Sequence, residues 1–184
     1  MKFKEIQAIC KKTKAIRLFE SETSVLQWLG DGYAIYPLFK MPIFNENTIF
    51  AAFDIPDDKK PDYLFKMEPL PEGLSFADTV EGEMHIETKM DLSIISGKTT
   101  LEPLCINREI MFIDTAYLKP LSDYSELEYY KRISDKGGRY IAVKSGLILV
   151  AVIMPQFLSE KLTEELETVA AACKRVVEGR KDND

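Results

Sequence analysis

The opening residues place Phe3, Ile6, Ile9, Cys10 and Thr13 at i, i+3, i+6, i+7 and i+10. That is the spacing of a helix with one buried stripe. Lys4, Gln7, Lys11 and Lys14 fall on its other side. Three short alternating or apolar runs follow, AIRLFES, SVLQWLG and YAIYPLF, divided by the polar Ser21 to Thr23 and by Gly30-Asp31-Gly32. Asp-Gly between apolar runs predicts a hairpin, because both residues tolerate positive φ. Residues 1–55 therefore read as a helix and a three-stranded meander closing at Met41-Pro42-Ile43-Phe44. A short helix then spans about 45–53, capped by Asn45 or Asn47, with Ile49, Phe50 and Phe53 on one side.

In residues 56–107 the periodicity is lost. Pro56, Pro61, Pro69 and Pro71 interrupt a charged stretch, which excludes regular helix and argues against a central strand. The segment reads as a linker or surface excursion with one or two strands, near Met84 to Ile86 and Leu92 to Ile95. From residue 108 to 158 the pattern sharpens: EIMFID as a strand, TAYLKPLSD as a short helix, then LEYYKRIS, RYIAVKS and LILVAVIMP as three strands. Lys136-Gly137-Gly138 and Ser145-Gly146 supply the turns, glycine entering the left-handed region without steric cost. In 159–184, Ser159 reads as the N-cap of a closing helix with an apolar stripe at Leu158, Leu162, Leu166, Val169, Cys173 and Val176, and the tail EGRKDND as frayed.

The two ends thus show one order of parts, a short helix and three antiparallel strands, each ending in Met-Pro-x-Phe: MPIF at Met41 to Phe44 and MPQF at Met154 to Phe157. Two small sheets, each with one oily face and a helix to cover it, can share a core. The fold class expected is α+β, with antiparallel sheets from two related helix-plus-meander halves and an additional C-terminal helix.

Composition narrows the classes of function. The formal net charge of −6 argues against a chain-wide basic footprint for nucleic acid and leaves room for local basic faces. Apolar runs fall short of the roughly 20 residues that span a bilayer, and the first residues are too polar for a secretory signal, so a cytoplasmic protein without membrane contact is expected. Cys10, Cys105 and Cys173 are odd in number and far apart, which reads as reduced, mostly buried thiols. With one histidine, His85, no metal, cofactor or catalytic residue is assigned. Gly-rich phosphate loops and paired nucleophile motifs are absent, and a non-enzymatic chain is expected.

The stretch MFIDTAYLKPLSDYSELEYYKRISDKGGRYIAVKSGLILVAVIMPQF, about a quarter of the chain, resembles the half-domain pattern of DNA polymerase sliding clamps. Its points of likeness are Phe112, Tyr117-Leu118, Leu121 and Val152-Ile153-Met154-Pro155. The sequence is also similar in character to small phage-associated proteins. The clamp resemblance implies helix-backed sheets whose helices carry lysine and arginine toward duplex DNA, contacting phosphates without reading sequence. The matching residues are Lys4, Lys11, Lys12 and Lys14 on the first helix and Lys119 on the second. The function expected is a binding module acting through protein surfaces and duplex DNA, with a replication or phage protein as partner; the alternative is a protein-interaction or regulatory factor that does not touch DNA.

Two further groupings stand out in the sequence. In an extended segment Glu81, Glu83, His85 and Glu87 share a face, which suits a divalent ion or, more simply, solvated charge. Trp28, Tyr33, Tyr36, Tyr129, Tyr130 and Tyr140 lie on expected strands, where aromatics are favoured. Stacking on single-stranded bases is the sharper reading, with Lys131, Arg132 and Arg139 as accompanying cations.

Overall fold

A computed structural model describes residues 1–21, 25–86, 88, 89, 92–107 and 109–181. The chain is α+β, with a large mixed sheet, a small antiparallel sheet and a C-terminal helix. Helix α1 (Phe3–Thr13) leads into β1 (Ala15–Glu20), β2 (Gln27–Gly30) and β3 (Ala34–Pro37). A 3₁₀ helix, Thr115–Leu121, leads into β10 (Glu128–Ile133), β11 (Arg139–Ser145) and β12 (Ile148–Ile153). Each trio is an antiparallel meander. The two join through their third strands, with Ile35 opposite Val152 and Ala34 opposite Ile153, so the apolar segment before Pro155 sits in the middle of one continuous sheet.

The β2–β3 turn shows why Gly30-Asp31-Gly32 stands where it does. A Cβ on Gly30 would meet the Ala34 carbonyl oxygen at 1.8 Å, and the Asp31 carboxylate accepts from the backbone N–H groups of Tyr33 and Ala34. Its other oxygen accepts from the Tyr117 hydroxyl, and the Tyr36 hydroxyl donates to the Tyr117 carbonyl. The first hairpin is thereby tied to the 3₁₀ helix of the other meander.

The sheet's first face carries the main core. Ile16, Leu18, Leu29, Tyr36, Ile141, Val143 and Ile153 pack there with Ile6, Ile9 and Cys10 of α1 and with Ile49 and Phe50 of α2 (Glu46–Ala52). Asn45 caps α2 through a reciprocal pair with Thr48. The small sheet completes this cover with Leu104, Ile106, Met111 and Ile113. The opposite face carries a second core of Phe19, Trp28, Ile35, Tyr140, Ala142, Leu149 and Val152.

Four expectations need correction. The sheet is mixed rather than antiparallel throughout: β4 (Leu64–Pro69) pairs parallel with β1 at the sheet's edge, where proline is tolerated because its missing N–H faces outward. Residues 56–107, expected to hold one or two strands, hold five among the described residues: β4, β5 (Met84–His85), β6 (Thr88–Lys89), β7 (Ile94–Ser96) and β8 (Thr99–Ile106). Strand β8 is the spine of the small sheet, pairing with β6 and β7 on one edge and with β9 (Glu109–Asp114) on the other. The Met-Pro motifs are not equivalent, since β12 ends directly before Met154 whereas β3 ends at Pro37, four residues ahead of Met41-Pro42. Finally, only Cys10 of the three free thiols is buried; Cys105 is half-buried and Cys173 exposed. Helix α3 (Glu160–Lys181) is begun by the Ser159 hydroxyl accepting from the Leu162 N–H, and none of its described side chains belongs to either core. Of the expected frayed tail, residues 182–184 lie outside the described residues. No helix is long and apolar enough to cross a membrane among the described residues.

Candidate functional site

Between the end of β4 and the start of β5 the chain crosses the second face of the sheet as a strap, residues 70–83. Strand β4 lies at one edge and β5 at the other, so the strap spans the sheet's whole width. Its first end is held by the Leu70 N–H donating to the Glu20 carbonyl, and its middle by the Asp135 N–H donating to the Gly73 carbonyl. The Tyr140 hydroxyl accepts from the Ser75 N–H at 2.9 Å, and Asp78 accepts from the Leu149 N–H at 2.8 Å.

The strongest clamp is Arg132, 1% exposed on β10. Its Nη1 donates to the carbonyls of Ser75 (3.1 Å) and Ala77 (2.9 Å), its Nη2 to that of Asp78 (3.2 Å), and its Nε to Glu83 (2.8 Å). A second Nη2 contact reaches the same Glu83 oxygen at 2.6 Å, so all five guanidinium donors have partners. The other Glu83 oxygen accepts from Lys144, whose ammonium sits 4.1 Å from the centre of the Tyr130 ring. Burial works against the charge on Glu83, but the hydrogen bonds from Lys144 and Arg132 outweigh it and hold its carboxyl below the ordinary range.

The strap does not lie flat. It leaves an open groove of about 910 Å³ against the sheet, within the size range of ligand sites. Trp28 and Tyr140 line it from the sheet, with Phe76 edge-on to Trp28 at 5.0 Å; Leu26, Leu70, Leu74 and Val80 add apolar wall. The charged side chains among the lining residues are Glu20, Glu72 and Asp135, all acidic and all exposed. The groove therefore offers an apolar floor and an anionic rim, complementary to an apolar chain carrying positive charge.

The residues singled out from the sequence lie on the other side of the sheet. Lys4, Lys11 and Lys12 project from the outer face of α1, opposite its buried Ile6, Ile9 and Cys10. Lys14 is the left-handed residue closing α1, with its ammonium 4.3 Å from the centre of the Tyr63 ring. Lys119 is exposed on the 3₁₀ helix that adjoins the start of α1, where the Lys2 N–H donates to the Pro120 carbonyl. Ahead of α1, Met1 and Lys2 form ion pairs with Asp123.

The base-stacking set does not form a platform. Trp28, Tyr36 and Tyr140 are buried, Tyr129 and Tyr130 half-buried and Tyr33 exposed, while Lys131 and Arg139 both pair with Glu109 of β9. The Glu81–Glu87 face also divides. Glu83 turns inward to Arg132 and Lys144, His85 stacks against Tyr130 with ring centres 5.1 Å apart, and Glu87 lies outside the described residues. No three His, Cys, Asp or Glu side chains gather as a metal site among the described residues.

Sequence reasoning missed Arg132 as a structural pin, although one signal was present. In the strand EYYKRI, alternation puts Arg132 on the same face as Tyr130, and a cation on an inward strand position demands a buried carboxylate. That carboxylate, Glu83, lies forty-nine residues away. Comparison with family models, with curated proteins and with solved structures returns no match, so the groove and the lysine stripe must be read from their own chemistry.

Proposed function

We propose that the chain is a non-enzymatic protein-interaction module whose strapped groove takes an extended, apolar, positively charged segment of another protein. The observation that carries this reading is the lining itself: Trp28, Phe76 and Tyr140 below a rim whose charges are Glu20, Glu72 and Asp135. The half-buried Leu26, Leu70, Leu74, Phe76 and Val80 supply the contact area above the buried Trp28 and Tyr140, and rim charges set orientation and rate of encounter. Trp28 is the chain's single tryptophan, so its fluorescence reports on the groove alone. Titration with an extended peptide of alternating lysine and leucine is expected to change that emission saturably, and Glu72→Lys with Asp135→Lys to weaken binding at least tenfold. Emission indifferent to the peptide, or binding indifferent to both substitutions, overturns the proposal.

A second reading, a sliding-clamp-like module on duplex DNA, has its own support in the shared outward stripe of Lys4, Lys11 and Lys12, with Lys119 on the adjoining 3₁₀ helix. The repeated helix-plus-meander order is consistent with that resemblance. Phosphate contacts release counterions, so each lost lysine lowers the salt slope by about one. Replacing Lys4, Lys11 and Lys12 by glutamate is therefore expected to abolish a salt-sensitive shift of duplex DNA. A wild-type protein that leaves duplex DNA unshifted at low salt removes this reading.

A further inference from the structure

Helix α3 is twenty-two residues long, about 33 Å at 1.5 Å per residue. From Glu160 to Arg175 its side chains are exposed, save Leu162 and Leu166, which are half-buried. A helix of ordinary composition draws most of its stability from packing of an apolar face, and the helix carries such a face. Leu162, Leu166, Val169 and Cys173 succeed one another at intervals of four, three and four residues, and Val176 continues the alternation in the sequence. That spacing is a heptad seam. Ala170 and Ala172 occupy the positions that flank the seam at its middle, where small side chains let two helix axes approach toward the short end of the usual 8–10 Å.

Charge along the helix identifies the occupant. Residues 160–170 hold four glutamates and one lysine; residues 171–181 hold four basic residues and one glutamate. A parallel pair sets like charge against like along its whole length. An antiparallel pair of identical helices sets each acidic half beside a basic half and also opposes the two helix dipoles. Such a pairing is self-complementary about a two-fold axis, the commonest symmetry of soluble homo-oligomers.

We infer that α3 is the dimerisation element of this chain, pairing antiparallel with α3 of a second copy through Leu162, Leu166, Val169 and Cys173. The strip it offers is about 33 Å by 10 Å, smaller than a standard specific interface, so the dimer is weak and forms reversibly with concentration. The groove lies on the sheet and takes no part in the contact.

Light scattering on the full chain over a concentration series is expected to show a monomer passing to a dimer. Val169→Asp is expected to leave only monomer. Two charge variants separate self-pairing from general stickiness: Glu164→Lys with Glu165→Lys and Glu167→Lys, and Lys174→Glu with Arg175→Glu. Each alone is expected to dimerise at least tenfold more weakly than wild type, while their equimolar mixture forms a heterodimer. A spin label at Lys161→Cys, with Cys173 replaced by serine, gives the orientation, since the two labels of an antiparallel dimer lie about 30 Å apart and those of a parallel one about 10 Å. A wild-type chain that stays monomeric at every concentration, a dimer unaffected by Val169→Asp, or the short label distance overturns the inference.

Discussion

At the scale of single residues, the second face of the sheet depends on Arg132. Its guanidinium joins three strap carbonyls to Glu83 with almost no exposure to water, and truncation strands the carbonyls and leaves Glu83 with Lys144 alone. Arg132→Leu is expected to cost about 3–5 kcal/mol, the range for breaking a buried ion pair from one side, measured by denaturant unfolding. Protonating Glu83 breaks the same cluster chemically. Its carboxyl lies below the ordinary value in the folded chain, so it binds protons more weakly there than in the unfolded chain. Its contribution is complete above the unfolded value of about 4.3 and is lost as pH falls through the folded value. Thermal melts between about pH 6 and 3 are expected to show an acid-dependent loss of stability that is diminished in Glu83→Gln. On the first face, burial and the nearby charge of Asp31 push the Tyr36 and Tyr117 hydroxyls upward, so both stay protonated as donors. Tyr117→Phe leaves one buried Asp31 oxygen without its partner and is expected to cost about 1–3 kcal/mol.

At the scale of elements, the strap and α3 behave oppositely under deletion. The strap is pinned at both edges and in the middle, so Arg132→Leu is expected to expose residues 70–83 to limited proteolysis well before the rest of the chain. Helix α3 contributes little to either core, so ending the chain at Ser159 is expected to change monomer stability by no more than about 0.5 kcal/mol, as for exposed positions generally. A larger loss in chemical unfolding of the monomer means that α3 packs on its own body. Legibility in the sequence follows the same division. The meanders were readable because runs such as RYIAVKS and LILVAVIM extend over several residues and end in turn residues that force the chain back, Gly137 and Gly146 among them with positive φ. Strand β4 was hidden by Pro69, which weakens a strand in isolation but is compatible with an edge. Strands of two residues, such as Thr88–Lys89, are too short to show any period. The groove was least legible, because it is made by crossing: Trp28, Phe76 and Tyr140 meet only when the strap spans the sheet, and a local pattern records no such meeting.

At the scale of the molecule, one continuous sheet separates two surfaces of opposite charge. The first face supports α1 with its outward lysines; the second supports the acidic groove. A chain with a net charge of −6 can in this way present a local basic stripe and a local acidic cleft to different partners. The α3 pairing adds a second copy of both surfaces, and a dimer is expected to bind a tandem peptide more tightly than the monomeric Val169→Asp variant, at equal groove affinity. The claim on which the functional account turns is that the strapped groove, rather than α1, is the principal binding surface. Amide chemical-shift mapping during titration with the cationic apolar peptide tests it most directly. Shifts are expected to concentrate at Leu70 to Ala77, at Asp135 and at the Trp28 indole N–H. Shifts that spare those residues and follow α1 instead would contradict it.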